Sequence, residues 1–206
     1  MSRFLPLSAA AASIAIVFAC TQQTSDAQQD TSAADDAAEM QADMPPSEMD
    51  AGGSESLPSM MRATGDLLGN EGDTIGSVNM IEGPNGIVME VSVSEGGLTP
   101  GWHAVHIHQT GDCSDTGEYT ASGGHVGKVE GGHGLLNPDG PEPGDLPNLY
   151  AFEDGSVNFE TFTDLVTLSD VMDEDGGAII IHEGRDDHMS QPIGGAGGRV
   201  ACAVVQ

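Results

Sequence analysis

Two histidines alternate with apolar residues in the stretch Val105-His106-Ile107-His108. If this stretch is a β-strand, its period of two places His106 and His108 on one face and the two apolar residues on the other. Two imidazoles that project from one rigid strand can bind a single metal ion while the apolar pair packs into a core. A surface strand whose histidines merely alternate is the other interpretation of the pair taken alone.

More residues of metal-binding type follow in a long irregular segment. Residues 110–145 are dense in Gly, Asp, Pro and Ser and show no regular period, yet they contain His125, His133 and Asp145. An unstructured segment of this length inside a compact domain is typical either of disorder or of function. The metal-binding residue types that it carries favour function.

Short strands must position these residues. Alternating or apolar runs predict the strands, and the segments 82–86 and 153–156 predict hairpin turns. A loop-rich β protein is also what 29 glycines and an aromatic content of 4% favour. About eight strands and hardly any helix predict an all-β fold, an antiparallel sandwich or barrel with two long loops at residues 110–145 and 186–198. The runs that predict strands are residues 73–80, 87–93, 101–108, 146–152, 157–162, 178–182 and 200–205.

The N-terminal residues have the composition of a targeting segment. A short basic start at Arg3 precedes a mostly apolar stretch, residues 4–18, that is shorter than a typical membrane span. The ending at residues 17–20, Val-Phe-Ala-Cys, looks like the lipobox of bacterial lipoproteins, in which the cysteine is lipidated. We therefore predict a signal peptide over residues 1–19 and a lipid anchor at Cys20. An ordinary signal peptide that is cleaved nearby is the alternative.

The residues after the predicted anchor indicate a location and a linker. Thr21 follows Cys20, and the absence of Asp at this position favours the outer over the inner membrane. The predicted location is the periplasmic face of a bacterial membrane. Residues 20–61 contain no Lys or Arg and show no apolar periodicity, so they predict an acidic, disordered linker ahead of a domain at residues 62–206.

The cysteine count agrees with an oxidising compartment. If Cys20 is lipidated, Cys113 and Cys202 remain, and an even number suits a disulfide. A bond between them would close a loop of about 90 residues, for which the chain-entropy model predicts roughly 4–5 kcal/mol of stabilisation.

The charge of the chain excludes some classes of partner. The 206 residues include 33 acidic and five basic side chains, a formal net charge of -28. Such a surface repels phosphate backbones and anionic headgroups, so neither nucleic acid nor anionic lipid is an expected partner.

The histidine motifs, taken together, resemble those of the copper/zinc superoxide dismutases. The resemblance covers roughly residues 62–206 and implies the eight-stranded antiparallel Greek-key fold of that family, with one copper and one zinc ion per subunit. It is carried by Gly-Trp-His103-Ala-Val-His106-Ile-His108, Gly-Gly-His125, Ile-Ile-Ile-His182 with Asp186-Asp187, and the ending Gly-Gly-Ala-Gly-Gly-Arg199-Val-Ala-Cys202.

The resemblance implies four copper ligands, all of them imidazoles. Nitrogen donors hold both oxidation states of copper, which suits an ion that must cycle between them. One of the four histidines would bridge the two metals, with one ring nitrogen on copper and the other on zinc. The implied copper ligands are His106, His108, His182 and the bridging His125.

The implied zinc ligands include one departure from the family. His133 follows His125 by eight residues and Asp145 follows His133 by twelve, which is the family's zinc spacing. The family places a further histidine three residues before the aspartate, where this chain has Glu142. Glu142 either completes a closed tetrahedral site or points to solvent and leaves zinc with three ligands. His188 in the second loop is a further candidate for the fourth position.

Three other residues take roles from the resemblance. Asp186 would accept hydrogen bonds from His106 and His133 and fix both rings; a loop carboxylate in water is the alternative. Arg199 would dock the superoxide anion beside copper through its charge and directed N–H groups, and a salt bridge at a strand end is its alternative. His103 would be structural and bonded to backbone.

The activity that the resemblance implies is superoxide disproportionation to oxygen and hydrogen peroxide, with Arg199 and His125 as the catalytic residues. A non-catalytic lipoprotein that stores or delivers copper on the same scaffold is the first alternative, and an anchored structural β-sandwich with a vestigial site is the second. Bacterial members of the family occur as monomers and dimers, so a homodimer is possible. The second loop lacks the lysines that commonly steer superoxide in the family.

Overall fold

The computed structural model describes residues 60–206, and within that range nearly all regular structure is β. The predicted signal peptide, Cys20 and the linker up to residue 59 lie outside the described residues. The predicted all-β class is confirmed. The elements are β1 Met61–Gly69, β2 Thr74–Gly83, β3 Gly86–Val93, β4 Gly101–His103, β5 Val105–His108, a 3-10 turn at Thr120–Ser122, β6 Leu149–Ala151, β7 Val157–Thr163, α1 Leu168–Val171, β8 Gly177–His182 and β9 Arg199–Val205.

Seven of the described strands form one antiparallel sheet. Their order is β5-β8-β9-β1-β2-β3-β7, and β4 pairs with β6 in a separate two-stranded sheet. Inward-facing residues alternate along β3, where Ile87, Met89, Val91 and Val93 are buried. By contrast, all six residues of β8 are buried. The described helices include none that is long and apolar enough to cross a membrane.

Strand β1 was not among the predicted strands. Its buried positions include Ala63, Leu67 and Gly69, so the strand lacks the alternating large apolar residues that identify a strand in a sequence. Gly65 explains part of this composition, because a Cβ atom there would lie 2.3 Å from the backbone oxygen of Val204. The small residues are needed where β1 runs against β9.

The predicted histidine strand is in fact two strands. The backbone leaves the two-stranded sheet after β4 and enters the seven-stranded sheet at β5. Between them, the Ala104 N–H donates to the carbonyl oxygen of Gly184, and the Ala104 carbonyl accepts from the His182 N–H. His103 and His106 therefore belong to different sheets.

The predicted turn at residues 153–156 is present, but it does not form the expected hairpin. Phe152 and Ser156 are joined by a backbone hydrogen bond, as in a hairpin turn. Beyond it, β6 pairs with β4 and β7 pairs with β3. Local sequence predicted the reversal of the chain, whereas the pairing partners are set by the packing of the whole domain.

The disulfide predicted from the cysteine count is confirmed. Cys113 and Cys202 are bonded, with their Cα atoms 5.9 Å apart. Both cysteines pack with Tyr119, Ala178 and Ile180 in a small buried cluster beside β8. The bond thereby fastens the first long loop to β9.

Candidate metal centre

Strand β5 carries His106 and His108 into the interior. The strand pairs with β8, and its apolar residues belong to the main core, as predicted. Nε2 of His106 lies 2.9 Å from Oδ2 of Asp186, and Nδ1 of His108 lies 3.0 Å from the carbonyl oxygen of Gly123. Each ring is held through one nitrogen, and its other nitrogen is buried without a hydrogen-bond partner.

Two more buried imidazoles face this pair. His182, at the end of β8, is held through Nδ1, which lies 3.2 Å from the carbonyl oxygen of Gly197. His125 forms an isolated β-bridge with His108. The ring centroid of His106 lies 4.3 Å from that of His125 and 4.9 Å from that of His182. In His125 and His182 the Nε2 atom is likewise left without a partner.

Unpartnered ring nitrogens on neighbouring buried histidines fit a metal ion. Buried polar atoms almost always have a partner, and an imidazole lone pair that lacks an N–H donor can be satisfied by a cation. His106, His108 and His182 bring donor nitrogens within 4.8 Å of one another. A set of imidazole donors suits copper, so the residues present fit the copper site that the sequence predicted.

Burial keeps these histidines neutral. Burial, opposed by the hydrogen bond to Asp186, lowers the pKa of His106 to about 4. Burial and the neighbouring charge of His106 lower the pKa of His182 to about 3. The pKa of His108 is also lowered, by burial first and by the charges of His125 and Arg199. Because only a deprotonated imidazole binds metal, the site is prepared for a cation at neutral pH.

A second cluster of donors lies on the other side of His125. Its Nδ1 atom is 2.8 Å from Oε2 of Glu142 and 3.1 Å from Oδ1 of Asp145. Nδ1 of His133 lies 2.8 Å from the same oxygen of Asp145. All four side chains are buried. His125 thus presents Nδ1 to this cluster and Nε2 to the other histidines, as a residue shared by two metal sites would.

Asp186 connects the two clusters. Its Oδ2 accepts from His106, and its Oδ1 lies 3.2 Å from Nε2 of His133. Burial opposes protonation of His133, but hydrogen bonds to Asp145 and Asp186 raise its pKa to about 10. Against burial, hydrogen bonds from His106 and His133 hold the pKa of Asp186 well below its usual range. One carboxylate therefore orients a ring in each cluster.

Glu142 points into the second cluster rather than to solvent. Its side chain is 2% exposed, and its Oε1 atom accepts a hydrogen bond from the Val129 N–H at 3.0 Å. His188, the other candidate for this position, is partly exposed and places Nε2 2.9 Å from Nδ2 of Asn148. Neither His188 nor Glu142 belongs to the two groups of potential ligands found among residues 60–206, one of which joins His106 to His125, His133 and Asp145.

His103 faces backbone instead of the clusters. Its Nδ1 atom lies 2.7 Å from the carbonyl oxygen of His182, and its Nε2 atom lies 2.8 Å from that of Thr99. The ring is buried at the end of β4, between the two sheets. Neither nitrogen is free to bind a metal.

The guanidinium of Arg199 is fixed by the first long loop. Nη2 donates to the carbonyl oxygen of Gly123 at 2.7 Å, and Nη1 donates to the Ser122 hydroxyl at 3.0 Å and to the carbonyl oxygen of Tyr119. The Gly123 oxygen also accepts from His108, so the arginine and a copper-site histidine share an acceptor. Among residues 60–206 the guanidinium of Arg199 forms no salt bridge.

Two amide side chains that were not predicted as site residues hold the site in place. Asn148 accepts from the backbone N–H of Asp186 and donates to the Asp186 carbonyl oxygen. Gln191 likewise accepts from the backbone N–H of His133 and donates to its carbonyl oxygen. These partners are 38 and 58 residues apart in sequence, so no local pattern could identify them.

Tyr119 is a third residue that was missed. It is fully buried in the first loop and adopts a left-handed backbone conformation, with φ at 53°. Its hydroxyl donates to the carbonyl oxygen of Gly69, while its own carbonyl accepts from Arg199. The sequence contained one hint of this role. The chain has only two tyrosines, and one of them lies in the Gly-rich first loop.

Comparisons with known proteins agree with this geometry. The family model described as copper/zinc superoxide dismutase matches residues 74–205. A Cu-Zn superoxide dismutase of Caulobacter vibrioides is 42% identical over 70% of this chain and 85% of the relative. A second one, from Aquifex aeolicus, is 36% identical over 71% of this chain and 87% of the relative.

A solved structure has a similar fold. The crystal structure of a superoxide dismutase-like protein from Bacillus subtilis has a TM-score of 0.62 and 32% sequence identity, and the match covers 69% of this chain and 97% of the other. The family match runs from β2 to β9 and includes both long loops. The chain therefore belongs to the copper/zinc superoxide dismutase family.

Proposed function

We propose that this protein is a superoxide dismutase, which converts two superoxide anions and two protons into one molecule of oxygen and one of hydrogen peroxide. One observation carries the proposal: four neighbouring buried imidazoles have unpartnered nitrogens, the donor atoms of three of them lie within 4.8 Å of one another, and a fixed arginine shares an acceptor with one of these three. Relatives named Cu-Zn superoxide dismutase support it.

The two metals of the family have separate sets of ligands here. Copper would be held by His106, His108, His125 and His182, and zinc would be held by His125, His133, Asp145 and Glu142. A bound copper ion would supply the one-electron redox chemistry that the reaction needs. The zinc set is closed and structural in character, which fits a metal that does not react.

Arg199 docks the anion beside the copper histidines. Its guanidinium carries a permanent positive charge, and its planar N–H groups bind small anions with directed hydrogen bonds. Because the carbonyl oxygens of Tyr119 and Gly123 hold it, the group is oriented before substrate arrives. Preorganised charge of this kind stabilises an anionic reactant at no cost in reorganisation.

His125 carries a proton between the two halves of the reaction. Its Nδ1 atom stays fixed by the second cluster, while its Nε2 atom faces the copper histidines. Nε2 takes up a proton from water once the first superoxide has reacted and passes it to the second superoxide. The other proton that hydrogen peroxide needs comes from water.

Metal analysis combined with an activity assay tests this function. The purified protein is loaded with copper and zinc, its metal content is measured, and superoxide consumption is followed with and without cyanide. We expect copper in the protein and rapid, cyanide-sensitive consumption of superoxide. A copper-loaded protein without that activity would favour the copper-delivery role instead, and a failure to take up metal would favour a structural β-sandwich.

We also propose that the protein is anchored through lipidated Cys20 on the periplasmic face of the outer membrane. Residues 17–20 support the anchor, and the disulfide between Cys113 and Cys202 suits an oxidising compartment. Labelling with a palmitate analogue is expected to mark the wild type and not a Cys20→Ala variant. A protein that stays unlabelled and soluble after fractionation would refute the anchor. The oligomeric state is a separate question, and light scattering of the purified protein distinguishes a monomer from a homodimer.

A further inference from the structure

Ser122 has a buried hydroxyl that contacts both the anion-docking arginine and a copper-site histidine. The residue is fully buried at the end of the 3-10 turn that precedes His125. Its Oγ atom lies 2.8 Å from the carbonyl oxygen of Tyr119, 3.0 Å from Nη1 of Arg199 and 3.2 Å from Nδ1 of His108. Among residues 60–206, no other side chain is hydrogen-bonded to both the arginine and a copper histidine.

The partners of this hydroxyl determine which atoms donate. A carbonyl oxygen only accepts and a guanidinium only donates, so the Ser122 O–H points to Tyr119 and its oxygen accepts from Arg199. Because its one proton is used, the hydroxyl can only accept from His108. The histidine must therefore carry its proton on Nδ1, which leaves the unpartnered Nε2 deprotonated for a metal.

Ser122 and Gly123 join the same two side chains. The Gly123 carbonyl oxygen accepts from Nη2 of Arg199 at 2.7 Å and from Nδ1 of His108 at 3.0 Å. Oγ of Ser122 accepts from Nη1 of the arginine and from the same histidine nitrogen. These hydrogen bonds form a closed ring that fixes the guanidinium relative to the imidazole, because two contacts at different points prevent a rotation that one contact would allow.

We propose that Ser122 is a positioning residue, whose hydroxyl holds the guanidinium of Arg199 in a fixed orientation to the copper ligand His108. The proposal rests on the proposed function, in which copper would lie at His108 and the anion at Arg199. Without the hydroxyl, Nη1 keeps only the carbonyl oxygen of Tyr119, and the histidine keeps only that of Gly123. The guanidinium then turns more freely, so it binds an anion beside the metal less firmly. The unpartnered nitrogens of the copper histidines are untouched by the change.

Anion binding to a Ser122→Ala variant tests the proposal. Wild type and variant are loaded with copper and zinc, their metal content is measured, and azide is titrated while the copper absorption band is recorded. We expect an azide dissociation constant about threefold to tenfold higher in the variant, the effect of one lost hydrogen bond, with unchanged copper content. The rate constant for superoxide should fall by a similar factor. Equal azide affinity in the two proteins would overturn the proposal.

A Thr120→Ala variant is the matched control for the turn. Thr120 lies in the same 3-10 turn, but its hydroxyl donates to Asp115 and does not contact the arginine. We expect this variant to bind azide as wild type does. Equal losses in the two variants would mean that the stability of the turn, not the Ser122 hydroxyl, orients Arg199, and this result would also overturn the proposal.

Nitrogen NMR of the metal-free proteins gives a second measurement that does not depend on activity. The Nδ1–H proton of His108 is expected to exchange with water faster in Ser122→Ala, because one of its two acceptors is gone, and at the wild-type rate in Thr120→Ala. Unchanged exchange in Ser122→Ala would contradict the shared hydrogen bonds. If the wild type binds copper and azide but consumes no superoxide, the proposed function fails, whereas the azide and NMR comparisons still decide this inference.

Discussion

At the scale of single residues, His106, His108 and His182 each give one ring nitrogen to the protein and keep the other free for a metal. His108 gives Nδ1 to the carbonyl oxygen of Gly123, and His182 gives Nδ1 to that of Gly197. His106 gives Nε2 to Asp186 instead, so its free nitrogen is Nδ1. The tautomer of each ring is thereby set before metal binds, which is the usual work of partners around a metal site.

Replacing Arg199 with lysine should lower the rate and leave copper in place. The lysine keeps the positive charge but lacks the planar group that binds Tyr119, Ser122 and Gly123 together. We expect the second-order rate constant for superoxide to fall about tenfold, with unchanged copper content. Pulse radiolysis with metal analysis of the same sample checks this. An undiminished rate would remove Arg199 from the catalytic residues.

The metal-free protein should be most stable near pH 6.5. The pKa of His106 is lowered to about 4 and that of His182 to about 3, against 6.5 in the unfolded chain. As pH falls below 6.5, the two histidines bind protons in the unfolded chain but not in the folded protein. Each of the two histidines then removes about 2 kcal/mol of stability by pH 5.

His133 has the opposite effect, because its pKa is raised to about 10. Its contribution to stability is complete below pH 6.5 and is lost as pH rises from 6.5 towards 10. Denaturant unfolding of chelator-treated protein from pH 5 to pH 10 measures both sides. A stability that stays constant from pH 6.5 to pH 5 would contradict the neutral state of the buried histidines.

At the scale of elements, strands hold some of the site residues and loops hold the others. Strands β5 and β8 lie side by side in the sheet and place His106, His108 and His182 rigidly. The first loop supplies His125 and the acceptors of Arg199. The second loop supplies Asp186. Since loops have little regular hydrogen bonding of their own, they depend on cross-links such as the disulfide.

Removing the disulfide should therefore destabilise the fold and loosen Arg199. In a Cys113→Ala/Cys202→Ala variant the closed loop of the unfolded chain is opened, with 89 residues of sequence separation between its ends. We expect the free energy of unfolding to fall by about 4 kcal/mol. Denaturant titration measures it, and wild type in reductant should show the same loss. An unaltered free energy would mean that the bond is not needed to hold the loop.

At the scale of the whole molecule, the net negative charge of the domain repels the anionic substrate. Residues 62–206 carry 24 acidic and four basic side chains, a net charge of -20. The second loop has no lysine near the metal clusters, so Arg199 acts within a negative electrostatic potential. Long-range repulsion of an anion slows its encounter with the protein, and salt screens that repulsion.

The rate should consequently rise, or fall only slightly, as ionic strength increases. At 0.1 M salt the screening length is about 10 Å, so most of the repulsion from distant carboxylates is removed. The second-order rate constant measured from low salt to 0.3 M checks this, with a neutral redox substrate as the control. A steep decrease with added salt would show that attraction, not repulsion, governs the encounter.

The sequence alone determined the residues and much of the fold. A period of two placed His106 and His108 on one face, the parity of the cysteines predicted the bond between Cys113 and Cys202, and alternating runs predicted most strands. Each of these signals is either local in the sequence or a count over the chain, so it can be recognised without knowing how the chain packs. Strand β1 escaped because its buried Ala and Gly residues carry no such signal.

Only the tertiary structure decided the interactions between residues distant in sequence. It divided the histidine strand between two sheets, paired β6 with β4, and brought Asn148 and Gln191 onto the backbones of Asp186 and His133. It also turned Glu142 inward, a direction that the sequence left open. Each of these depends on which segments pack together and which buried groups must be paired, and that is a property of the whole fold rather than of any segment.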